Sequence, residues 1–180
     1  MKTADSKEGY GVVSVINHWV VGLLVIALII FGLTSERMDN VPERFEIIRL
    51  HKATGITVLV LALWRLYWRV KQGFPTPVPG HPSWQITAAK FMHWFLIVAI
   101  IAMPVSGLLW SLTGGRDVSY FGLFTIPAFA DSEGVSDAFE TFHRLFSKVL
   151  IAGIVIHTLA GVYNAVSDFK TSGRRMIVPE

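Results

Sequence analysis

The chain has no cysteine among its 180 residues. Disulfide bonds, thiolate metal sites, iron–sulfur clusters and covalent cofactor attachment through a C-x-x-C-H motif are therefore excluded. Charge is also scarce, at 16% of residues against about 25% in typical soluble domains. Hydrophobic residues make up 52% of the chain, and the mean hydropathy is +0.51. This composition predicts an integral membrane protein.

The small excess of positive charge, +3 at neutral pH, does not indicate a nucleic-acid partner. Membrane proteins place Lys and Arg beside their spans for topological reasons. The first apolar run is longer than the hydrophobic core of a signal peptide, and no small-residue cleavage site follows it. We therefore expect this run to be retained as the first span.

Four apolar stretches are long enough to cross a hydrocarbon core, which takes about 20 helical residues. They cover residues 12–33, 47–70, 86–112 and 139–166. The sequence thus predicts an all-α integral membrane four-helix bundle, with residues 1–180 forming a single membrane domain. Residues 113–137, between the third and fourth spans, are expected to form a long loop that holds several acids.

Lys and Arg residues are distributed unevenly between the two sides of the predicted membrane. The N-terminal tail, the second loop region and the C-terminal tail hold nine of them: Lys2, Lys7, Arg65, Arg69, Lys71, Lys90, Lys170, Arg174 and Arg175. The other two loops hold three: Arg37, Arg44 and Arg116. Both termini are therefore expected in the cytoplasm. Four further bases lie at the outer ends of the second and fourth spans: Arg49, Lys52, Arg144 and Lys148. Counting them gives nine Lys and Arg residues on the cytoplasmic side and seven on the other.

Histidines inside the spans are the most informative feature, because ionisable side chains in lipid are costly and usually functional. His143 and His157 both lie in the fourth span. The interval between them makes nearly four helical turns, so both rings leave the same helix face, roughly 21 Å apart along the axis. The spacing predicts two planar cofactors at two depths of the bundle.

The predicted orientation places His51 and His143 in an outer layer. An inner layer has three candidates: His18, His93 and His157. A porphyrin lying against a helix needs a small residue about one turn from its ligand. Such residues accompany every histidine of the two layers except His93: Gly22, Gly55, Ser147, Gly153 and Gly161. His18 and His157 are therefore the expected inner pair, and His93 is expected to play a polar, non-ligand role.

Each of these residues, taken alone, has a simpler interpretation. Small residues are common in membrane helices because they permit close packing. A lone buried histidine is more often a hydrogen-bonded core residue than a ligand. Four histidines in two matched layers, each with a small neighbour, favour cofactor binding. His81 follows a proline-rich stretch and is expected in an exposed loop.

Two facing neutral imidazoles suit low-spin haem iron, whose filled axial positions favour electron transfer over oxygen binding. Zinc would need further ligands, whereas the acids are confined to loops and tails. Haem also carries two propionates, which need cations or hydrogen-bond donors at the membrane edge. The four outer bases are the candidates for this contact, with interfacial snorkelling as the simpler alternative.

A weak internal repeat links the two halves of the chain. Gly32 follows His18 by nearly four helical turns, and Gly107 follows His93 at the same offset. The second and fourth spans both begin with a histidine followed by a base. The chain is thus interpreted as two related helical hairpins, or as spans that resemble one another by composition alone.

These residues resemble a known family, the bacterial cytochromes b561. The resemblance is to the small four-helix, two-haem type, which is related to the cytochrome b subunits of nickel–iron hydrogenases. The resemblance covers essentially the whole chain, and the spacing of the four ligand candidates is its most specific part. It rests on His18-Trp19, His51 with Gly55, Arg65-Leu66, Arg69, His93, Pro104-x-x-Gly107, Phe121-Gly122-Leu123, Pro127, His143, His157 and Arg174-Arg175-Met176.

The resemblance implies two b-type haems held by four histidines from the first, second and fourth spans, with no ligand from the third. It also implies residence in the bacterial inner membrane and association with quinone. Some members oxidise superoxide at the periplasmic face and pass the electron to ubiquinone. Members often carry a further histidine seven residues after the last ligand, where this chain has Asn164.

The leading hypothesis is transmembrane electron transfer through two bis-histidine b-type haems, with electrons exchanged with the quinone pool. In one version the chain is a superoxide:ubiquinone oxidoreductase, although the two outer loops hold nine acids. His93, Arg65 and Lys90 are the candidate quinone contacts, and no catalytic residue is assigned. A second hypothesis is a haem b membrane-anchor subunit that accepts electrons from a partner dehydrogenase or hydrogenase. A third is a non-redox proton or metal transporter.

Overall fold

The computed structural model describes residues 2–167, 175 and 179. Four long helices dominate it: α1 over Val12–Arg37, α2 over Pro42–Gln72, α3 over Ser83–Thr113 and α4 over Glu133–Ser167. All four are long and apolar enough to cross a membrane. The protein is therefore an all-α, multi-pass membrane four-helix bundle, as the sequence predicts.

Local signals set the ends of the helices. Helix α2 begins with Pro42, which suits a first turn because its missing N–H would have no partner there. The same helix stops at Gly73, whose φ of 72° is the left-handed conformation that glycine tolerates, and whose N–H donates to the Arg69 carbonyl. All four helices extend past the predicted apolar spans, because their polar end turns stay helical beyond the hydrocarbon core.

A short β-hairpin lies in the long loop where the sequence predicted no regular structure. Strand β1, Val118–Tyr120, pairs antiparallel with β2, Phe124–Ile126. Phe121, Gly122 and Leu123 connect them. The first two have φ values of 48° and 78°, and the Leu123 N–H donates to the Tyr120 carbonyl. The bulky Phe121 is rare at positive φ, so the turn carries no clear signal in the sequence. Val118 is buried against the bundle.

The bundle is packed for an apolar surrounding. Its core is a small cluster of aliphatic side chains at mid-height: Val21, Val25, Val58, Ala62 and Ile100. Many larger apolar side chains point outwards instead, including the strongly exposed Leu23, Val60 and Leu159. Such a surface would be unstable in water and is ordinary for helices in lipid, where packing rather than hydrophobicity joins the helices.

The end of the bundle that carries His18, His93 and His157, termed the inner end, is closed by the N-terminal segment. Asp5 forms an ion pair with Arg69 of α2 at 3.0 Å, with both side chains no more than 3% exposed. The Asp5 carboxylate also accepts hydrogen bonds from the Gly11 N–H and the Ser14 hydroxyl. This N-terminal cap was not anticipated from the sequence, where Arg69 was counted among the inner-side bases and among the residues of the family resemblance.

Aromatic rings complete the N-terminal cap on both sides of the Arg69 guanidinium. The guanidinium carbon lies 5.0 Å from the Tyr10 ring centre and 4.8 Å from that of Phe74. Burial raises the pKa of the Tyr10 hydroxyl, so this ring stays neutral beneath the cation. The Thr76 N–H donates to the Lys7 carbonyl and ties the cap to the chain that follows α2.

Replacing Asp5 with alanine should destabilise the bundle. The change leaves the Arg69 guanidinium buried without its carboxylate, and breaking a buried pair in this way costs about 3–5 kcal/mol. We expect a lower thermal midpoint for Asp5→Ala in detergent, followed by far-ultraviolet circular dichroism. Glu8→Ala removes an exposed carboxylate of the same segment and should change stability by less than about 0.5 kcal/mol. Equal shifts of the thermal midpoint in the two variants would show that the ion pair contributes nothing to stability.

Candidate functional site

The four predicted ligands form two facing pairs across the bundle. At the outer level, the ring centres of His51 on α2 and His143 on α4 are 6.3 Å apart, with ring planes inclined at 75°. At the inner level, the rings of His18 on α1 and His157 on α4 are 6.0 Å apart and inclined at 68°. The structure thus brings together the residues that the sequence pairs.

These separations fit a metal ion held between the two rings of each pair. A metal–imidazole bond is about 2 Å long, so two imidazoles on opposite sides of one ion hold their ring centres roughly 6.3 Å apart. Direct hydrogen bonding between rings would bring the centres closer. The donor set therefore suits a bis-imidazole haem at each level.

The inner level contains a second possible pairing. The His93 ring centre on α3 is also 6.0 Å from that of His157, with planes at 77°. On its other side His93 stacks on Phe74 at 5.5 Å and 17°. His157 therefore lies between His18 and His93, and distance alone does not choose its partner.

The glycines beside the ligand candidates are of two kinds, which differ in the space around them. A methyl group added at Gly22 or Gly161 would meet no atom within 4 Å, and one at Gly55 would meet only the Pro104 Cβ at 4.0 Å. These three positions leave the room that a macrocycle needs. Gly153 differs, because a methyl group there would lie 2.7 Å from the Phe95 ring. Gly153 therefore fits the simpler of its two interpretations, a small residue that permits close helix packing.

The glycines of the internal repeat pack on the outer histidines. A Cβ at Gly32 of α1 would lie 3.5 Å from the His51 Cε1, and one at Gly107 of α3 would lie 3.0 Å from the His143 Cε1. In each hairpin, a glycine on the first helix thus leaves room for the histidine ring of the second helix. This matched contact favours the interpretation of the chain as two related hairpins.

The His143 ring is oriented by α3. Its Nδ1 lies 3.1 Å from the Met103 carbonyl oxygen and 3.0 Å from the Ser106 hydroxyl, while that hydroxyl donates to Met103. Because the hydroxyl already donates to Met103, both partners accept a hydrogen bond from an N–H at Nδ1, which leaves the Nε2 lone pair free for a ligand. Neither Met103 nor Ser106 was singled out from the sequence, although Ser106 lies inside the Pro104-x-x-Gly107 motif.

The His18 ring contacts a cation instead. An Arg65 guanidinium nitrogen lies 3.3 Å from the His18 Nδ1, and a second donates to the Asn17 side-chain oxygen at 3.3 Å. Asn17 in turn donates to the Leu61 carbonyl. Arg65 is thus directed into the bundle at the inner level, the depth predicted by its position nearly four helical turns after His51.

The outer bases have different partners from one another. Arg49 pairs with Glu46, and Arg144 pairs with both Glu36 and Glu140 at 2.8 and 2.7 Å. Lys52 and Lys148 form no ion pair within the described part of the chain. Lys52 lines a small cavity beside the β-hairpin, together with Phe45, Ile48, Arg49, Asp117 and Ser119. Lys52 is therefore the outer base with both a free charge and adjoining space.

Several other predicted residues do not belong to the paired rings. Lys90 is exposed on α3, and the His81 Nδ1 lies 3.0 Å from the Gln85 side-chain oxygen where that helix begins. Asn164 is half-buried in the last turns of α4. Lys170, Arg174 and Met176 lie outside the described residues, whereas Arg175 donates to the Thr76 carbonyl.

The chain is similar to known proteins along nearly its whole length. The sequence profile of the family described as prokaryotic cytochrome b561 matches residues 9–178. Cytochrome b561 homolog 2 of Escherichia coli (strain K12) is 27% identical over 179 residues, which are 98% of this chain and 95% of that protein. Cytochrome b561 homolog 1 of the same strain is 26% identical over 114 residues, or 63% of this chain and 65% of that protein. A Yersinia pestis protein named Probable superoxide oxidase CybB is 26% identical over 147 residues, or 81% and 82% of the two chains.

Replacing Gly107 with alanine should disturb the outer histidine pair. The new methyl carbon would lie 3.0 Å from the His143 Cε1, and overpacking of this kind costs about 1–3 kcal/mol. We expect a lower thermal midpoint, measured on the purified protein. Gly134→Ala is the matched control, since nothing lies within 4 Å of an added Cβ there. The control should gain up to about 1 kcal/mol from helix propensity, and a similar gain at Gly107 would contradict the contact.

Proposed function

Because the chain belongs to the prokaryotic cytochrome b561 family, a family of transmembrane b-type haem electron carriers, we propose that it holds two haems, one in each histidine layer. His51 and His143 would be the axial ligands of the outer haem, and His18 and His157 those of the inner haem. The observation that supports this most directly is the separation of the paired rings, 6.3 Å and 6.0 Å.

When bound, haem supplies a one-electron carrier whose iron alternates between two oxidation states. The residues of the chain determine where each carrier lies. Helix α4 provides one ligand to each layer, so the nearly four turns from His143 to His157 set the vertical distance between them. The aliphatic core around Val25 and Val58 fills the space between the layers and excludes water. Two imidazoles holding each iron would leave it no open coordination site, which would favour electron transfer over ligand chemistry.

We propose that the outer bases hold the propionates of the outer haem. Lys52 has an unneutralised charge beside the cavity at the β-hairpin. Arg49, Arg144 and Lys148 are further candidates, and the first two would exchange a surface carboxylate for a propionate. A charge-assisted contact to Arg or Lys is stronger than a neutral hydrogen bond.

We propose that both termini face the cytoplasm, so that the inner end is the cytoplasmic end. The bias of Lys and Arg towards the tails and the second loop supports this orientation. Quinone would then exchange electrons at the inner haem, with contacts from His93, Arg65 and Lys90. His93 lies beside His157, and Lys90 is exposed one turn before His93 on the same helix.

The electron donor is proposed to be superoxide at the outer face, with ubiquinone as the acceptor. The name of the Yersinia pestis relative, Probable superoxide oxidase CybB, supports this version. Lys52 beside the outer layer offers a local positive charge to an anion. In the alternative version, the chain is a haem b anchor subunit that takes electrons from a partner dehydrogenase or hydrogenase.

Alanine at His18 should remove one haem, whereas alanine at His93 should remove none. His18 provides an axial ligand in our proposal, and His93 does not. The haem-to-protein ratio of each purified variant, read from the reduced-minus-oxidised spectrum, should be one for His18→Ala and two for His93→Ala and the parent chain. The two variants control for each other, because both truncate a ring 6.0 Å from His157. Loss of haem from His93→Ala alone would make His93 the ligand.

Superoxide should reduce the haems from one side of the membrane only. The anion crosses lipid slowly because charge is costly in hydrocarbon. Superoxide generated outside right-side-out vesicles should therefore produce the reduced b-type spectrum, and inverted vesicles should respond much less. Superoxide dismutase serves as the control, and a short-chain ubiquinone should reoxidise the haems.

The possible results test the proposed electron donor and the proposed orientation independently. Reduction in inverted vesicles alone would overturn the proposed orientation and leave superoxide as the donor. Absence of reduction from both sides, in a protein that dithionite reduces, would overturn superoxide and favour the anchor-subunit alternative.

A further inference from the structure

The segment between α3 and α4 contains a long stretch without charge. Arg116 and Asp117 precede this stretch and Asp131 follows it, whereas residues 118–130 include no Asp, Glu, Lys or Arg. The stretch is also rich in aromatic residues: Tyr120, Phe121, Phe124 and Phe129. Loops in water are normally polar, whereas aromatic residues are enriched where a membrane protein meets the lipid headgroups.

The side chains at the tip of the β-hairpin are apolar and exposed. Leu123 is 78% exposed, and Phe121 and Phe124 are each 52% exposed. Phe129, in the chain that leads on to α4, is 66% exposed. A group of large apolar side chains exposed together marks a surface that meets a partner or a membrane.

Contacts with α2 place the hairpin beside the membrane-spanning part of this helix. The Tyr120 hydroxyl lies 3.2 Å from the Thr57 hydroxyl, and Thr57 lies about 9 Å further along α2 than His51, towards the inner end. The hairpin turn and α2 line a common cavity at the level of the outer histidine layer, formed by Arg49, Leu50, Ala53, Ser119, Phe121 and Gly122. Leu50 is itself exposed, so the apolar surface of the hairpin continues the lipid-facing surface of α2.

The backbone of the hairpin limits how deeply it can enter the membrane. Within the described part of the chain, β1 and β2 form a sheet of two strands, so each strand has an open edge. Open sheet edges do not occur in the hydrocarbon region, because their N–H and C=O groups would lack partners there. Lipid headgroups and the water among them can supply those partners. The hairpin therefore fits the headgroup layer rather than the hydrocarbon core.

We propose that the tip of the β-hairpin, formed by Phe121, Leu123 and Phe124, inserts into the lipid headgroup layer beside α2. The occupant of this apolar surface is thus the leaflet that borders the outer end of the bundle, and not a protein partner. The inference requires neither a bound haem nor a particular orientation in the cell, so it can fail without affecting the proposed function.

The experiment measures how fast single cysteines react with a sulfonated, water-soluble maleimide. Because the chain has no native cysteine, each variant reports one position. We would compare Leu123→Cys with Glu133→Cys, an exposed position at the start of α4, and with Val60→Cys, an exposed position within the α2 span. The purified variants are placed in nanodiscs of phosphatidylcholine, which leave both membrane faces open to the reagent. Far-ultraviolet circular dichroism verifies that each variant is folded.

We expect Leu123→Cys to react at least about tenfold more slowly than Glu133→Cys, because the reactive thiolate is disfavoured in apolar surroundings. It should still react faster than Val60→Cys, which lies in the hydrocarbon core. After unfolding in sodium dodecyl sulfate, the three cysteines should react at similar rates, which controls for intrinsic reactivity.

Two results would overturn the inference. Equal rates for Leu123→Cys and Glu133→Cys in nanodiscs would place the hairpin tip in water and leave its apolar surface to a protein partner. A rate for Leu123→Cys as low as that for Val60→Cys would place the tip in the hydrocarbon core, contrary to the limit that the open strand edges set.

Discussion

Pairs of imidazoles that face each other in an apolar interior constrain the rest of this bundle. A buried polar ring without a partner is costly, and the rings of each layer face each other with centres 6.0 or 6.3 Å apart, a separation that leaves room for a metal ion between them. Helix α4 must therefore face α1 at one level and α2 at the other. Three features are consistent with this arrangement. They are the glycines beside the rings, the hydrogen-bond acceptors on α3 and the small aliphatic side chains of the core.

The two hairpins share a pattern but differ at the inner level. Gly32 and Gly107 play the same part against His51 and His143. Arg65 follows His51 at the same interval as His157 follows His143, so an arginine in one hairpin takes the place of a histidine in the other. The two hairpins are therefore alike in the glycine that contacts each outer ring. The inner layer has a cation on one side and His93 on the other, and this asymmetry makes the two layers chemically unlike.

The helices, their number and the two levels of histidines followed from the sequence, because the 3.6-residue helical period and the cost of burying charge act locally. The partner of His157 stays a prediction, since His18 and His93 both lie 6.0 Å from it. The N-terminal cap did not follow, since Asp5 and Arg69 are 64 positions apart and nothing near either residue indicates the other. The β-hairpin was missed because Phe121 occupies a conformation that usually favours glycine or asparagine. The sequence left Gly153 with two interpretations, because spacing does not reveal that the Phe95 ring fills the space beside it.

The N-terminal cap has a consequence for how the protein is made. Asp5 leaves the ribosome well before Arg69 is synthesised, and the whole of α1 and most of α2 separate them. The Asp5 carboxylate therefore has no ion-pair partner until α1 and α2 have both been inserted into the membrane. The ion pair can form only in a correctly inserted hairpin, and a bulky fusion placed before Asp5 would hinder its formation.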